Sequence, residues 1–151
     1  MAENQQPQQQ FGIQSLYVKD ISFEAPMGAA LFSKIWQPKF QVDLNTTSAH
    51  FQENSYEVVL RVTVTIKLEE ETAALLEVQQ AGLFNIVGIE GEALRQVLAI
   101  LAPNTLFPYV RETLDSLCNR GGIPPIKLQP VNFEALYANA VQEQQAQQKV
   151  N

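Results

Sequence analysis

The chain has 151 residues, 46% of them apolar, which suits one globular domain with its own core and argues against a disordered chain. Sixteen acidic against ten basic side chains give a net charge of −6, which disfavours nucleic acid and anionic lipid as partners, because phosphates need a basic footprint. No apolar run approaches the roughly 18 residues of a membrane span, "MAENQQPQQQ" lacks both parts of a secretory signal, and the single Cys118 fits a reducing compartment, so the expected location is the cytoplasm with no direct membrane insertion.

Residues 1–10 and 142–151 are rich in Gln and bury too little to offset ordering, so both ends are expected to be disordered tails around a single domain over 11–141. In the first element, Phe11, Ile13, Tyr17, Ile21 and Phe23 share one parity, while Gln14, Asp20, Ser22 and Glu24 share the other. That alternation predicts a strand with one buried face. Four residues of strand set Asp20 and Glu24 about 13 Å apart. Glycosidase carboxylates sit roughly 5 to 9.5 Å apart, so these two make a poor acid/base pair. The connection over 25–39 is broken by Pro26, Gly28 and Pro38, yet it carries Met27, Leu31, Phe32, Ile35 and the only tryptophan, Trp36. An apolar loop of that length must cover either its own core or a visiting chain.

A second strand begins at Phe40, with Phe40, Val42 and Leu44 alternating against Gln41, Asp43 and Asn45. The turn at 53–55 leads to "YEVVLRVTVTIKL", where Tyr56, Val58, Leu60, Val62, Val64, Ile66 and Leu68 share one face, and the β-branched content confirms a strand. A fourth strand over about 72–80 follows the acidic turn "EEE", and short turns make these neighbours antiparallel. Leu94, Val97, Leu98 and Leu101 predict a helix over 91–101 that Pro103 ends. Val110, Leu114, Leu117 and Cys118 predict a second helix over about 106–119, with Pro108 in its first turn and Gly121 as its stop. A last helix starts on Asn132 as N-cap, with Val131 and Leu136 placed as a hydrophobic staple. Strands first and helices after is an α+β pattern: a four-stranded antiparallel sheet with helices on one face.

Catalytic and metal-binding patterns are absent from the sequence. His50 has no neighbouring His or Cys to complete a metal site, and Cys118 lies on an apolar helical stripe as a small hydrophobe. There is no G-x-S-x-G elbow, Walker loop or H-E-x-x-H motif. Glu90 and Glu92 would repel phosphate from "GIEG", which reads as punctuation between strand and helix. Neither a catalytic residue nor a cofactor is expected. Six acids and no base fall between Glu69 and Glu92; a solvated face is the ordinary reading of such a run, and an acidic docking surface is the sharper one. Phe32, Trp36 and Phe40 near the loop, with Phe133 and Tyr137 on the last helix, are core candidates singly and could together wall a groove for apolar peptide.

The blocks "YVKDISFEAP", "WQPKFQVDL", "YEVVLRVTVT", "LEVQQAGLFNI", "PNTLFPYVRE" and "PVNFEALY" resemble the SecB family of bacterial protein-export chaperones, in order and over nearly the whole chain. The resemblance implies an α+β subunit in a homotetramer, a dimer of dimers. It implies an ATP-independent chaperone that holds unfolded precursor proteins and passes them to the SecA translocation ATPase. It places SecA docking at Asp20, Glu24, Leu75 and Glu77. It places the client-binding groove between the loop after strand one and the last helix, with Phe32, Trp36, Phe40, Val42, Leu44, Phe133, Leu136 and Tyr137 as candidate lining. In "RGGIPPI", Ile123 stands where the family commonly has an aromatic residue. The alternative is a small-molecule-binding α+β domain or enzyme using Asp20, Glu24 and Glu77, against which the missing His, Cys and Ser constellations weigh.

Overall fold

A computed structural model describes residues 8–150; the first seven residues of the N-terminal tail and Asn151 lie outside the described residues. Four strands, β1 (Gln10–Glu24), β2 (Pro38–Gln52), β3 (Ser55–Leu68) and β4 (Glu71–Val87), form one antiparallel sheet in the order β1-β4-β3-β2. The β2–β3 and β3–β4 hairpins close through two residues each, with Glu53 (φ 49°) and Glu69 (φ 56°) in the left-handed region that tight hairpins demand. β4 runs seven residues past its expected end at 80, because Ala81 to Val87 keep pairing with β1 and Ala81 to Asn85 also pair with β3.

Pairing across the sheet sorts the side chains into an inner and an outer face. Val58, Leu60, Val62, Val64, Ile66 and Leu68 of β3 point inward and are buried, as the alternation predicts. β1 departs from its expected parity. Its register slips between Ile13 and Ser15 and again between Val18 and Asp20, each slip inserting one unpaired residue. A one-residue bulge moves every following side chain to the other face, so Tyr17 stands outward while Phe11, Ile21 and Phe23 point inward. The second bulge restores the original alternation, which is why Asp20 and Glu24 end up outward after all. The buried Gln80 amide donates to the Tyr17 carbonyl (3.2 Å) beside that second bulge.

The helices depart more. In place of two helices separated at Pro103 there is one helical run: α1 (Gly91–Gln96), a π-helical turn (Val97–Leu101) and α2 (Ala102–Arg120). Proline cannot donate to the carbonyl one turn back, and the wider π turn just before Pro103 accommodates that loss without ending the helix. Pro108 consequently lies inside α2 rather than in its first turn. The helix stops at Arg120, and the left-handed residue of the stop is Gly122 (φ 71°) rather than Gly121. Leu106, Phe107, Val110, Leu114 and Cys118 of α2 pack onto β3 and β4. A Cβ on Gly82 would meet the Phe84 ring at 2.6 Å and Leu106 at 3.0 Å, so the helix rests on bare backbone there. Cys118 is fully buried, and burial pushes its thiol up to about 11.

The connection at 25–39 holds a 3-10 turn (Gly28–Ser33) that buries Leu31. α3 (Phe133–Val150) starts as expected, the Asn132 side chain accepting from the Ala135 N–H at 3.0 Å. It then continues to Val150, so residues 142–150, expected as a disordered tail, are helical; Gln is a good helix former, and only its poor burial had argued against order.

Candidate functional site

Among the described residues, no helix packs on the outer sheet face. On it β1 and β4 set Glu24 opposite Leu75, Ser22 opposite Glu77 and Asp20 opposite Gln79. All four candidates for partner docking therefore share one patch on two neighbouring strands. Arg61 of β3 reaches into that patch, its guanidinium donating to Glu77 Oε2 at 3.1 Å, while Gln79 donates to Oε1 at 3.1 Å. The Gln79 bond first, and Arg61 second, hold the Glu77 carboxyl below the usual carboxylate range. Farther along, Tyr17 donates to Glu57, and Lys19 pairs with the same carboxylate at 3.1 Å. The Tyr17 bond, then Lys19, lower the Glu57 carboxyl; partial burial and the Glu57 bond push the Tyr17 phenol up to about 12.

The base-free acidic stretch does not survive as one surface. Glu69 and Glu71 sit at the β3–β4 hairpin, Glu77 lies within β4, and Glu90 and Glu92 follow the far end of a strand about 50 Å long. Arg61, remote in sequence, neutralises part of the middle; only strand pairing could have brought it to Glu77.

The inner face is covered by α2 over β3 and β4 but not over β2. Phe40 (45% exposed), Val42 (37%) and Leu44 point inward from β2 and line one side of a trough of about 480 Å³. Residues 126–131 form its other side, with Phe107 at the base. A second cavity of about 410 Å³ continues along the same strand face, between Thr46 and Ser48 of β2, Glu92 and Arg95, and the α3 residues Tyr137 and Val141. The Tyr137 hydroxyl donates to Glu92, which also pairs with Arg95 at 3.0 Å.

Of the groove candidates, the structure brings together Phe40, Val42 and Leu44 and puts Tyr137 in the adjoining cavity. Phe133 is buried, edge-on to Phe107 at 6.1 Å, so it supports the trough from beneath rather than lining it. Phe32 packs over Gly122, Trp36 is half-buried against the core, and Leu136 is half-exposed; none of the three lines either cavity. The segment 126–131 was missed. Pro130 within it and Pro124 and Pro125 just before it disfavour helix and sheet, and only the apolar Ile126, Leu128 and Val131 hinted that it faces something. Ile123 is a core residue, not part of either cavity. His50 is exposed on β2 and meets the Glu53 carbonyl at 2.7 Å. Among the described residues, no three metal-binding side chains converge, and no helix is long and apolar enough to cross a membrane.

A family model described as preprotein translocase subunit SecB matches residues 4–144. The chain belongs to the SecB family. A protein-export protein SecB of Methylococcus capsulatus is 50% identical over 147 residues, covering 96% of this chain and 95% of its own. The corresponding SecB of Hahella chejuensis is 49% identical over 150 residues, covering 98% and 94%. SecB is a family of export chaperones and not of enzymes, which removes the small-molecule enzyme as an alternative. Among solved structures, a SecB-like chaperone from Mycobacterium tuberculosis, in complex with a peptide from an antitoxin, matches with a TM-score of 0.65 at 18% identity, over 80% of this chain and 90% of that one. At that identity the likeness speaks for the fold.

Proposed function

We propose that this SecB-family chain works in the cytoplasm as an ATP-independent holdase, binding unfolded preproteins in the trough along β2 and delivering them to the SecA motor. The observation that carries the reading is the open apolar face of β2: Phe40, Val42 and Leu44 stand over Phe107 with no helix above them. Apolar burial is non-directional, so such a surface accepts many unrelated sequences, each well-buried client side chain contributing roughly 1.5 to 3 kcal/mol. The outer patch of Asp20, Glu24, Leu75 and Glu77 is the proposed SecA address. Ile13, Val18 and Ile21, exposed on the edge strand β1, support assembly into a homotetramer, since an apolar edge strand left open in a lone subunit invites pairing.

The test mixes the purified protein with a urea-unfolded precursor on dilution and follows light scattering without nucleotide. Suppressed aggregation is expected. Unchanged aggregation would overturn the holdase reading, and a 16.9 kDa monomer persisting at micromolar concentration would overturn the tetramer.

A further inference from the structure

Residues 123–132 have neither helix nor strand, yet residues 126–131 form one whole side of the trough. Without ladder hydrogen bonds, something else must fix this wall. The hydrogen bonds reaching its middle from elsewhere come from two α2 side chains one turn apart. Asp115 Oδ1 accepts from the Ile126 N–H (3.1 Å) and the Lys127 N–H (3.3 Å). The Arg111 Nε donates to the Leu128 carbonyl (3.0 Å), and its guanidinium lies 4.8 Å from the centre of the Phe107 ring at the trough base.

Three features separate this arrangement from incidental surface bonding. The anchored residues, Ile126, Lys127 and Leu128, all line the trough. Arg111 and Asp115 stand at a spacing where opposite charges on a helix usually meet, yet they form no ion pair with each other among the described residues. Both are turned to the wall's backbone instead. Between the two anchors, Lys127 holds φ 54°, a left-handed conformation that a side-chain-bearing residue keeps only when its surroundings over-determine it.

We infer that Asp115 and Arg111 are positioning residues for client binding: together they hold the backbone of 126–128 at a fixed distance from β2, so the apolar trough is preformed rather than collapsed onto Phe107. The inference rests on the trough being the client site. A preformed site spares the client the cost of ordering its wall, so loss of the anchors acts on affinity more than on fold.

The experiment compares wild type, Asp115→Ala, Asp115→Asn and Arg111→Met by residue-resolved amide exchange and by the dissociation constant for a urea-unfolded precursor. Melting temperature and assembly mass are recorded alongside. Asp115→Ala is expected to speed exchange at Ile126 and Lys127 and to weaken precursor binding about tenfold, the size expected for losing hydrogen bonds to a charged acceptor. Mass and melting temperature should change little. Asp115→Asn, which still offers a side-chain oxygen, should restore most of both. Arg111→Met, which keeps the apolar stem, should weaken binding in the same direction and covers the case in which Asp115→Ala does not fold. Wild type that fails to bind precursor would sink the chaperone reading itself. Normal wild-type binding with unchanged affinity in both Asp115→Ala and Arg111→Met, or unchanged exchange at 126 and 127 in Asp115→Ala, would overturn the positioning role alone.

Discussion

On the inner face of β3 every second side chain from Val58 to Leu68 is buried in the core, whereas on the outer face from 57 to 67 only Val59 is buried, Arg61 and Lys67 are exposed and Glu57, Thr63 and Thr65 are half-buried. The two faces are the same strands, so the contrast lies in what covers them. α2 and its π-turned lead-in cover the inner face until they run out at β2, where the apolar pattern continues without a lid. Among the described residues the outer face has no helical lid, and its charged side chains satisfy one another in lateral pairs, Arg61 with Glu77 and Lys19 with Glu57. Energy is therefore concentrated on one face and distributed on the other. A single change should be felt inside, and several should be needed outside.

The largest expected effect tests that concentration directly. Leu60→Ala, on a fully buried inward position, should cost about 2 to 5 kcal/mol of unfolding free energy in urea titrations. Thr63→Ala, on the outer face of the same strand, should stay within about 0.5 kcal/mol. Equal losses would abolish the distinction between the faces. Next comes the uncovered end of the inner face. Val42→Asp puts a carboxylate in the trough at an already part-exposed position, so it should weaken precursor binding roughly tenfold, the worth of about one apolar contact, while melting stays nearly unchanged. A variant that unfolds instead would show Val42 to be core. The outer face should yield only to combined changes. Exposed pairs contribute about 0.2 to 1 kcal/mol each, so Asp20→Lys alone should matter little. Asp20→Lys with Glu77→Lys should cripple SecA binding and remove its salt sensitivity, leaving client holding and assembly mass intact. Loss of client holding in that variant would show that the faces are not separate in function.

The smallest effect concerns the tie between α3 and α1. Tyr137 first, then Arg95, hold the Glu92 carboxyl below its usual range, and the Glu92 bond raises the Tyr137 phenol. A depressed carboxyl contributes fully above its ordinary pKa and loses that contribution as pH falls through the lowered value. A raised phenol contributes fully below its ordinary pKa and loses it as pH rises through the raised value. Attachment of α3 should therefore be level across neutral pH and loosen at both acid and alkaline extremes. Amide exchange in α3 should show this, and Tyr137→Phe should raise exchange at neutral pH and erase the alkaline limb.

The legible parts of the chain were those where one local rule acts alone. β3 alternates without interruption, so its faces could be read directly, and Asn132 caps α3 through its own side chain. β1 misled at Tyr17 because a bulge leaves no mark in residue type: Gln14 and Lys19 are ordinary strand residues, and only the register against β4 shows them unpaired. Pro103 misled for the opposite reason, its strong local signal being overridden by a π turn whose cost is met by packing on the sheet. The grouping of Asp20, Glu24, Leu75 and Glu77 rested on the family resemblance, and only the pairing of β1 with β4 sets them on one patch of the outer face. The trough was half legible: β2 announces its apolar face, but the opposite wall owes its place to Asp115 and Arg111, whose aim cannot be seen along the chain.

Gly121 and Gly122 sit side by side at the end of α2, and handedness separates them. At Gly121 the backbone is ordinary (φ −81°), and what excludes a side chain is the Phe23 ring, 2.2 Å from where a Cβ would stand. At Gly122 the backbone itself is left-handed, and the Phe32 ring lies at 3.1 Å. A D-amino acid favours the mirror-image backbone, so D-alanine placed by chemical synthesis would relieve the conformational objection at 122 and offer no such relief at 121, whose backbone already suits L residues. Two identical neighbours thus answer to different symmetries: the first is an achiral residue because of space, the second because of hand.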